Sequence, residues 1–314
     1  MNKLRIVFMG TPDFAVGILD TIYKNNYEIA AVVTAPDKPA GRGQKLQQSA
    51  VKIYAEQNNL KVLQPTNLKS ETFLAELAAL NANLQIVVAF RMLPKAVWAM
   101  PEFGTFNLHA SLLPDYRGAA PINWAIINGE EKTGVTTFFI DEKIDTGAII
   151  LKKEAHIAPN ETAGTLHDKL MHLGADAVIE TLELIKNNNA TTTLQPAEDT
   201  KTAYKLNREN CKINFNKESK EVYNLIRGLN PYPSAYTILI DHENEWNVKL
   251  HDVSYRTEKH NHQPGSFIAT KKTIEIATID GFIEVLSLQF PGKKKMKTTE
   301  LLNGMQFSEQ AKCN

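Results

Sequence analysis

The sequence predicts an α/β protein, a mostly parallel sheet with helices on both faces, followed by a smaller β domain. Three observations carry that expectation. Strand-length apolar runs alternate with helix-like segments through the first half. A polar stretch beginning at Asn187 breaks the helical period. Five short strand-like segments, separated by turn residues, fill the last third.

Leu4 to Met9 is apolar but for Arg5, as a strand covered on both faces would be. Gly10-Thr11-Pro12-Asp13 then reads as a turn into a helix, with Thr11 as cap, Pro12 at the first helical position and Asp13 at the positive helix end. Ile29 to Val33, Leu84 to Ala89 and Thr105 to His109 give further strands, and 50–58 and 71–80 read as helices between them. Val135 to Ile140 and Ala148 to Lys152 close the sheet, and a long helix runs from about Ala163 to Ile185. The reading gives a domain over 1–189, a linker over 190–208 and a second domain over 209–314. In the latter, a helix over 217–229 precedes strands near 236–240, 248–253, 266–269, 273–277 and 283–288, a pattern fit for a small barrel or sandwich.

Basic and acidic side chains balance at 35 each, so bulk charge does not point to nucleic acid and any basic surface is local. The short apolar run at the N-terminus does not make a secretory signal, and no window nears the roughly 18 apolar residues of a membrane span. Two cysteines in no metal-like spacing, Cys211 and Cys313, fit a reducing cytosol. The expectation is a cytoplasmic protein with no metal and no membrane attachment.

The segment Asn107-Leu108-His109-Ala110-Ser111-Leu112-Leu113-Pro114 is the most informative. Asn107 and His109 lie two apart on one strand and so share a face. They sit at the strand's C-terminal end, where open α/β sheets bind ligands. Asp145, in the turn 141–147, could reach back to His109. An amide and an imidazole can donate to a developing oxyanion, while a carboxylate orients the imidazole and helps relay a proton. Taken singly, a strand-end His is more often structural, and an Asp beside Gly147 is more often a turn former.

This segment, with Tyr116-Arg117-Gly118-Ala119-Ala120-Pro121-Ile122, Thr133-Gly134-Val135-Thr136-Thr137 and Asp145-Thr146-Gly147, resembles the formyltransferases that use 10-formyltetrahydrofolate. The resemblance covers essentially the whole chain. It implies a Rossmann-like domain that binds no dinucleotide, and Gly10 to Ala15 indeed lack the Gly-x-Gly-x-x-Gly fingerprint. It also implies a catalytic set of Asn107, His109 and Asp145, a folate site at Ser111, Leu112, Leu113 and Pro114, and a C-terminal OB-like barrel. Many members have Tyr and Gly where this chain has Phe90 and Arg91, and the resemblance assigns Arg91 no role.

Sugar-amine formyltransferases share the Ser-Leu-Leu-Pro segment, and the purine-pathway transformylases resemble only the first domain. Ala35 to Leu46 resembles a loop characteristic of the branch that formylates methionyl initiator tRNA. From Thr34 to Lys52, Lys38, Arg42, Lys45 and Lys52 oppose Asp37, a net of +3. The resemblance therefore points to Arg42, Lys38 and Lys45 as tRNA contacts. The stretches 225–235 and 286–296 resemble the same branch's C-terminal domain. Residues 209–314 carry 14 basic against 13 acidic side chains, so only Lys293, Lys294, Lys295 and Lys297 are locally basic. Tyr232 and Tyr236 are read as core residues. A chain of this size in the family need not self-associate, and a monomer is expected.

Overall fold

A computed structural model describes residues 2–40, 45–196 and 201–314. The chain forms two compact units that interleave along the sequence. One comprises Met1–Gly118, Thr133–Ala155 and His167–Thr202; the other comprises Ala119–Lys132, His156–Leu166 and Ala203–Asn314.

The first unit is built on β1 (Arg5–Gly10), β2 (Glu28–Val33), β3 (Val62–Leu63), β4 (Leu84–Val88), β5 (Thr105–His109), β6 (Lys132–Phe139) and β7 (Ile149–His156). They form one sheet in the order β7-β6-β5-β4-β1-β2-β3. The pairs β1–β2, β2–β3, β1–β4 and β4–β5 are parallel, and β6 runs antiparallel to β5. Strand order reverses between β1 and β4, so their C-terminal ends open a crevice of the kind that binds ligands in such sheets.

Its longer helices are α1 (Asp13–Lys24), α2 (Ala50–Gln57), α3 (Glu71–Ala79) and α4 (Ala163–Lys186). Ser49 and Ser70 cap α2 and α3 by accepting from the amides of Lys52 and Phe73. The expected Thr11 cap does not form. Pro12 occupies the cap position of α1 with no side-chain bond, because the helix starts one residue later than the sequence suggested.

Ile6, Val7, Phe8 and Met9 are fully buried, as a central parallel strand covered on both faces requires. Val7 and Met9 join Ala31, Val33, Val87, Phe73 and Leu77 in one core layer.

In the second unit, a helix over Ser219–Gly228 packs on the helix Pro121–Ile127, and Gly228 allows the approach. A Cβ there would lie 2.7 Å from Ile127 Cγ1. Its strands form two sheets of five and four with antiparallel ladders around one apolar core. Of the expected strands, those near 236–240, 266–269 and 273–277 are present. The stretch 248–253 instead joins the end of Asn244–Leu250 to the start of Val253–Thr257. The stretch 283–288 divides into Gly281–Val285 and Ser287–Gln289, because the Asp252 carbonyl takes the amides of Leu286 and Ser287 at the break.

Phe8→Ala removes a large side chain at the centre of the first unit. We expect it to cost about 3–5 kcal/mol, read from urea unfolding, whereas a cost below about 1 kcal/mol would mean that the site collapses around the gap.

Candidate active site

The C-terminal end of β5 delivers Asn107 and His109. Its register against β6 opposes Asn107 to Phe138 and His109 to Thr136, so the sheet fixes both side chains. His109 is 7 % exposed, and its Nε2 lies 2.8 Å from the main-chain carbonyl of Tyr116. A carbonyl only accepts, so that nitrogen carries the hydrogen. Nδ1 is left facing Asp145, whose Oδ2 lies 3.9 Å away. That separation is too long for a hydrogen bond and short enough for a charge contact.

Tyr116 adopts φ 61° and Asp145 φ 56°, both in the left-handed region. The Asp145 carboxylate also accepts from the amide of Gly118 at 3.0 Å. Gly147 sits where a Cβ would fall 1.6 Å from the Phe139 carbonyl, so only glycine lets the turn pass β6 this closely. Asn107 is half-buried, and no partner for its side-chain amide is found among the described residues. The three expected catalytic side chains thus come from one strand end and one turn. The hydrogen on Nε2 is committed to Tyr116, so any donation from His109 to an oxyanion must come from Nδ1.

The segment 111–114 is held by the Ser111 hydroxyl and by Thr136 of β6. Ser111 Oγ donates to the Asp115 carbonyl at 2.6 Å. Thr136 Oγ1 donates to the Ser111 carbonyl at 2.7 Å and accepts from Leu113 N at 3.1 Å. Leu113 is buried with Phe138 and Ile149. Ser111 and Leu113 therefore point inward, and Leu112 and Pro114 are the partly exposed members.

Arg91, which the sequence left without a role, is a staple. Its guanidinium donates to the carbonyls of Pro65 and Thr66, the latter at 3.0 Å, and stands 5.6 Å from the Phe90 ring centroid. It ties the loop after β4 to the loop after β3, both at the ligand end of the sheet.

The basic loop is a two-stranded ribbon, Lys38–Ala40 paired with Lys45–Gln47. Arg42 and the Lys45 side chain lie outside the described residues; Lys38 is exposed. Lys52 does not belong to the free charge of the ribbon. Its ammonium pairs with Asp37 at 2.5 Å, and Gln64 donates to the same carboxylate at 2.7 Å. Thr34 and Ser49 meet through their hydroxyls at 2.7 Å, which closes the ribbon's base.

Tyr236 packs against the core of the second unit as expected, but Tyr232 does not. It is 82 % exposed in the Pro231-Tyr232-Pro233 turn. The sequence also gave no signal for Gln195, which bonds to the Asp145 turn from a stretch whose composition reads as linker.

Two family models match the chain: formyl transferase over residues 4–182, and formyl transferase, C-terminal domain, over residues 205–306. The methionyl-tRNA formyltransferase of Flavobacterium johnsoniae is 65 % identical over 99 % of both chains. That of Bacteroides thetaiotaomicron is 50 % identical over 100 % of this chain and 99 % of its own. Among solved structures, the sugar 3N-formyl transferase WlaRD, crystallised with dTDP and 5-N-formyl-THF, is 25 % identical. It covers 94 % of this chain and 100 % of its own, with a TM-score of 0.65. HypX from Aquifex aeolicus in complex with tetrahydrofolic acid shares the fold at 17 % identity and a TM-score of 0.64, over 96 % of this chain and 47 % of its own.

The Lys52 ammonium, with help from Gln64, holds the Asp37 carboxyl below the usual carboxylate range. A depressed carboxyl stabilises the fold above its unfolded value and loses that contribution as pH falls through its folded value. The Tm advantage of the native chain over Asp37→Asn should therefore be constant near neutrality and shrink in the acid range. An advantage that persists or grows in acid would contradict the pairing.

Proposed function

The chain belongs to the formyl transferase family, and on that premise we propose that it moves the formyl group of 10-formyltetrahydrofolate onto the amino group of methionine carried by initiator tRNA. The observation that carries the reading is 65 % identity, over 99 % of both chains, to a relative named methionyl-tRNA formyltransferase. The two solved neighbours crystallised with folate derivatives support the donor.

In this reading Asn107, His109 and Asp145 carry the chemistry. The amine attacks the formyl carbon, whose oxygen becomes an oxyanion. The carbon then breaks its bond to the folate N10, the amine loses a proton and N10 gains one. The Asn107 amide, unpartnered among the described residues, donates to the oxyanion. His109 presents Nδ1 to the reacting groups, and Asp145 stabilises the ring when it is charged.

Leu112, Pro114 and the backbone of Ser111 and Leu113 shape the folate site. Lys38, Arg42 and Lys45 meet the phosphates or base edges of the tRNA. Residues 1–189 act as the catalytic domain and 209–314 as the tRNA-binding part of a cytoplasmic monomer, while the stretch 190–208, read as linker from its composition, also holds the Asp145 turn through Gln195. No described helix is long and apolar enough to cross a membrane.

Asn107→Ala should lower kcat by about a hundredfold or more with folding intact. A folded variant with near-native kcat would remove Asn107 from the mechanism. Arg42→Ala should reduce kcat/KM for charged tRNA strongly and leave folate affinity unchanged, with Arg42→Lys rescuing only in part, since an ammonium lacks the planar donor fork. Native kcat/KM in Arg42→Ala, together with formylation of an amino-sugar nucleotide, would make the sugar amine the acceptor.

A further inference from the structure

The groups that hold Asp145 take no part in the chemistry above, and one of them comes from the stretch that follows α4. Asp145 is a non-glycine residue in the left-handed region, a conformation that persists only where the surroundings over-determine it. Its main-chain carbonyl accepts from Arg117 Nε at 3.1 Å and from Gln195 Nε2 at 3.0 Å. The same Gln195 amide nitrogen donates to the carbonyl of Gly147 at 2.7 Å. Both N–H bonds of one primary amide thus span the Asp145–Gly147 turn.

The orientation of that amide is fixed from its other side. Gln195 Oε1 accepts from Arg117 Nε at 3.2 Å and Nη2 at 2.8 Å, so oxygen faces the guanidinium and nitrogen faces the turn. Two residues earlier, Thr193 exchanges backbone bonds of 2.8 and 2.9 Å with Ile149, at the start of β7. Further along, the Lys201 carbonyl accepts from the amide of Tyr116 at 2.7 Å, and the Tyr116 carbonyl in turn holds His109. The segment after α4 therefore supports the backbone behind both His109 and Asp145.

We propose that Gln195 is a positioning residue, which aims the Asp145 carboxylate at His109 by clamping the Asp145–Gly147 turn from the segment that follows α4. The proposal rests on the reading of Asp145 as part of the site. Gln195 touches no reacting atom; it acts through the turn. Its loss should therefore appear in the chemical step and not in substrate binding.

The test compares Gln195→Met, similar in shape without donors, with Gln195→Glu, which keeps oxygen toward Arg117 but has no N–H for the turn. Each is made in the full-length native chain and in Asp145→Asn. We expect either substitution to lower kcat about tenfold, with KM for both substrates within about twofold and an unchanged Tm. In Asp145→Asn the same substitutions should cost nothing further, because the carboxylate they aim is already gone. Equal losses in both backgrounds, or a kcat within about twofold of native for both variants, would overturn the proposal. If Gln195→Met does not fold, Gln195→Glu alone carries the comparison. An Asp145→Asn enzyme with native kcat would instead sink the reading of Asp145 itself, a result separable from failure of the clamp.

Discussion

The site depends first on one bond, from His109 Nε2 to the carbonyl of Tyr116. An imidazole at the end of a buried strand is costly unless its polar atoms are used. Here the chain supplies the acceptor by turning Tyr116 into the left-handed region seven residues later. That turn is itself tied to Lys201, and the amide of Gly118, two residues on, reaches the Asp145 carboxylate. The bond thus fixes the ring, decides which nitrogen faces Asp145 and sets the path of the loop over 111–118. The opposition of His109 to Thr136 belongs to the same arrangement, since Thr136 holds both Ser111 and Leu113.

A second constraint acts where Lys38–Ala40 and Lys45–Gln47 pair. The sequence reads as four basic groups against one acid, but one of those bases is consumed where the ribbon is rooted. Lys52 and Asp37 are both largely shielded from solvent, and Gln64 supports the pair. Lys52 is thereby withdrawn from the charge the loop can present, whereas Lys38 stays exposed. A charge count along a chain cannot distinguish a cation that closes a loop from one that the loop presents.

Legibility in the sequence followed the range of the interaction. The runs 6–9 and 84–88 were readable because a strand buried on both faces is apolar along most of its length. Asn107 and His109 were readable as a pair because alternation on a strand is a local rule. Val253–Thr257 was missed beyond its first residue because its last three residues are exposed and give no apolar alternation. Tyr232 was misread as core because aromaticity alone does not separate a packed ring from one left outside by two flanking prolines. Gln195 was invisible for a different reason. Its partners lie 48, 50 and 78 residues away, and its neighbours are polar, so composition describes the segment as linker. Arg91 shows the converse: it departs from the family pattern, yet its partners at Pro65 and Thr66 give it a structural task.

The commitment of Nε2 also constrains the order of proton movements in the proposed reaction. With that nitrogen donating to a carbonyl, the ring has one working atom, Nδ1. Nδ1 accepts a proton only when the ring is neutral and donates only when the ring is charged. A ring that begins neutral could take the amine's proton at Nδ1, become an imidazolium beside the Asp145 carboxylate and then return the proton to the departing N10. A ring that begins charged would serve the oxyanion from the outset, and the amine's proton would need another route, through water or the carboxylate. In both orders the acceptor amine, the formyl oxygen and the leaving nitrogen must gather on the Nδ1 side of the ring. Asn107 shares a strand face with His109 and offers an open amide. In the proposed reaction the oxyanion would lie within reach of that amide and of Nδ1, on the side of the ring that the Asp145 carboxylate also faces.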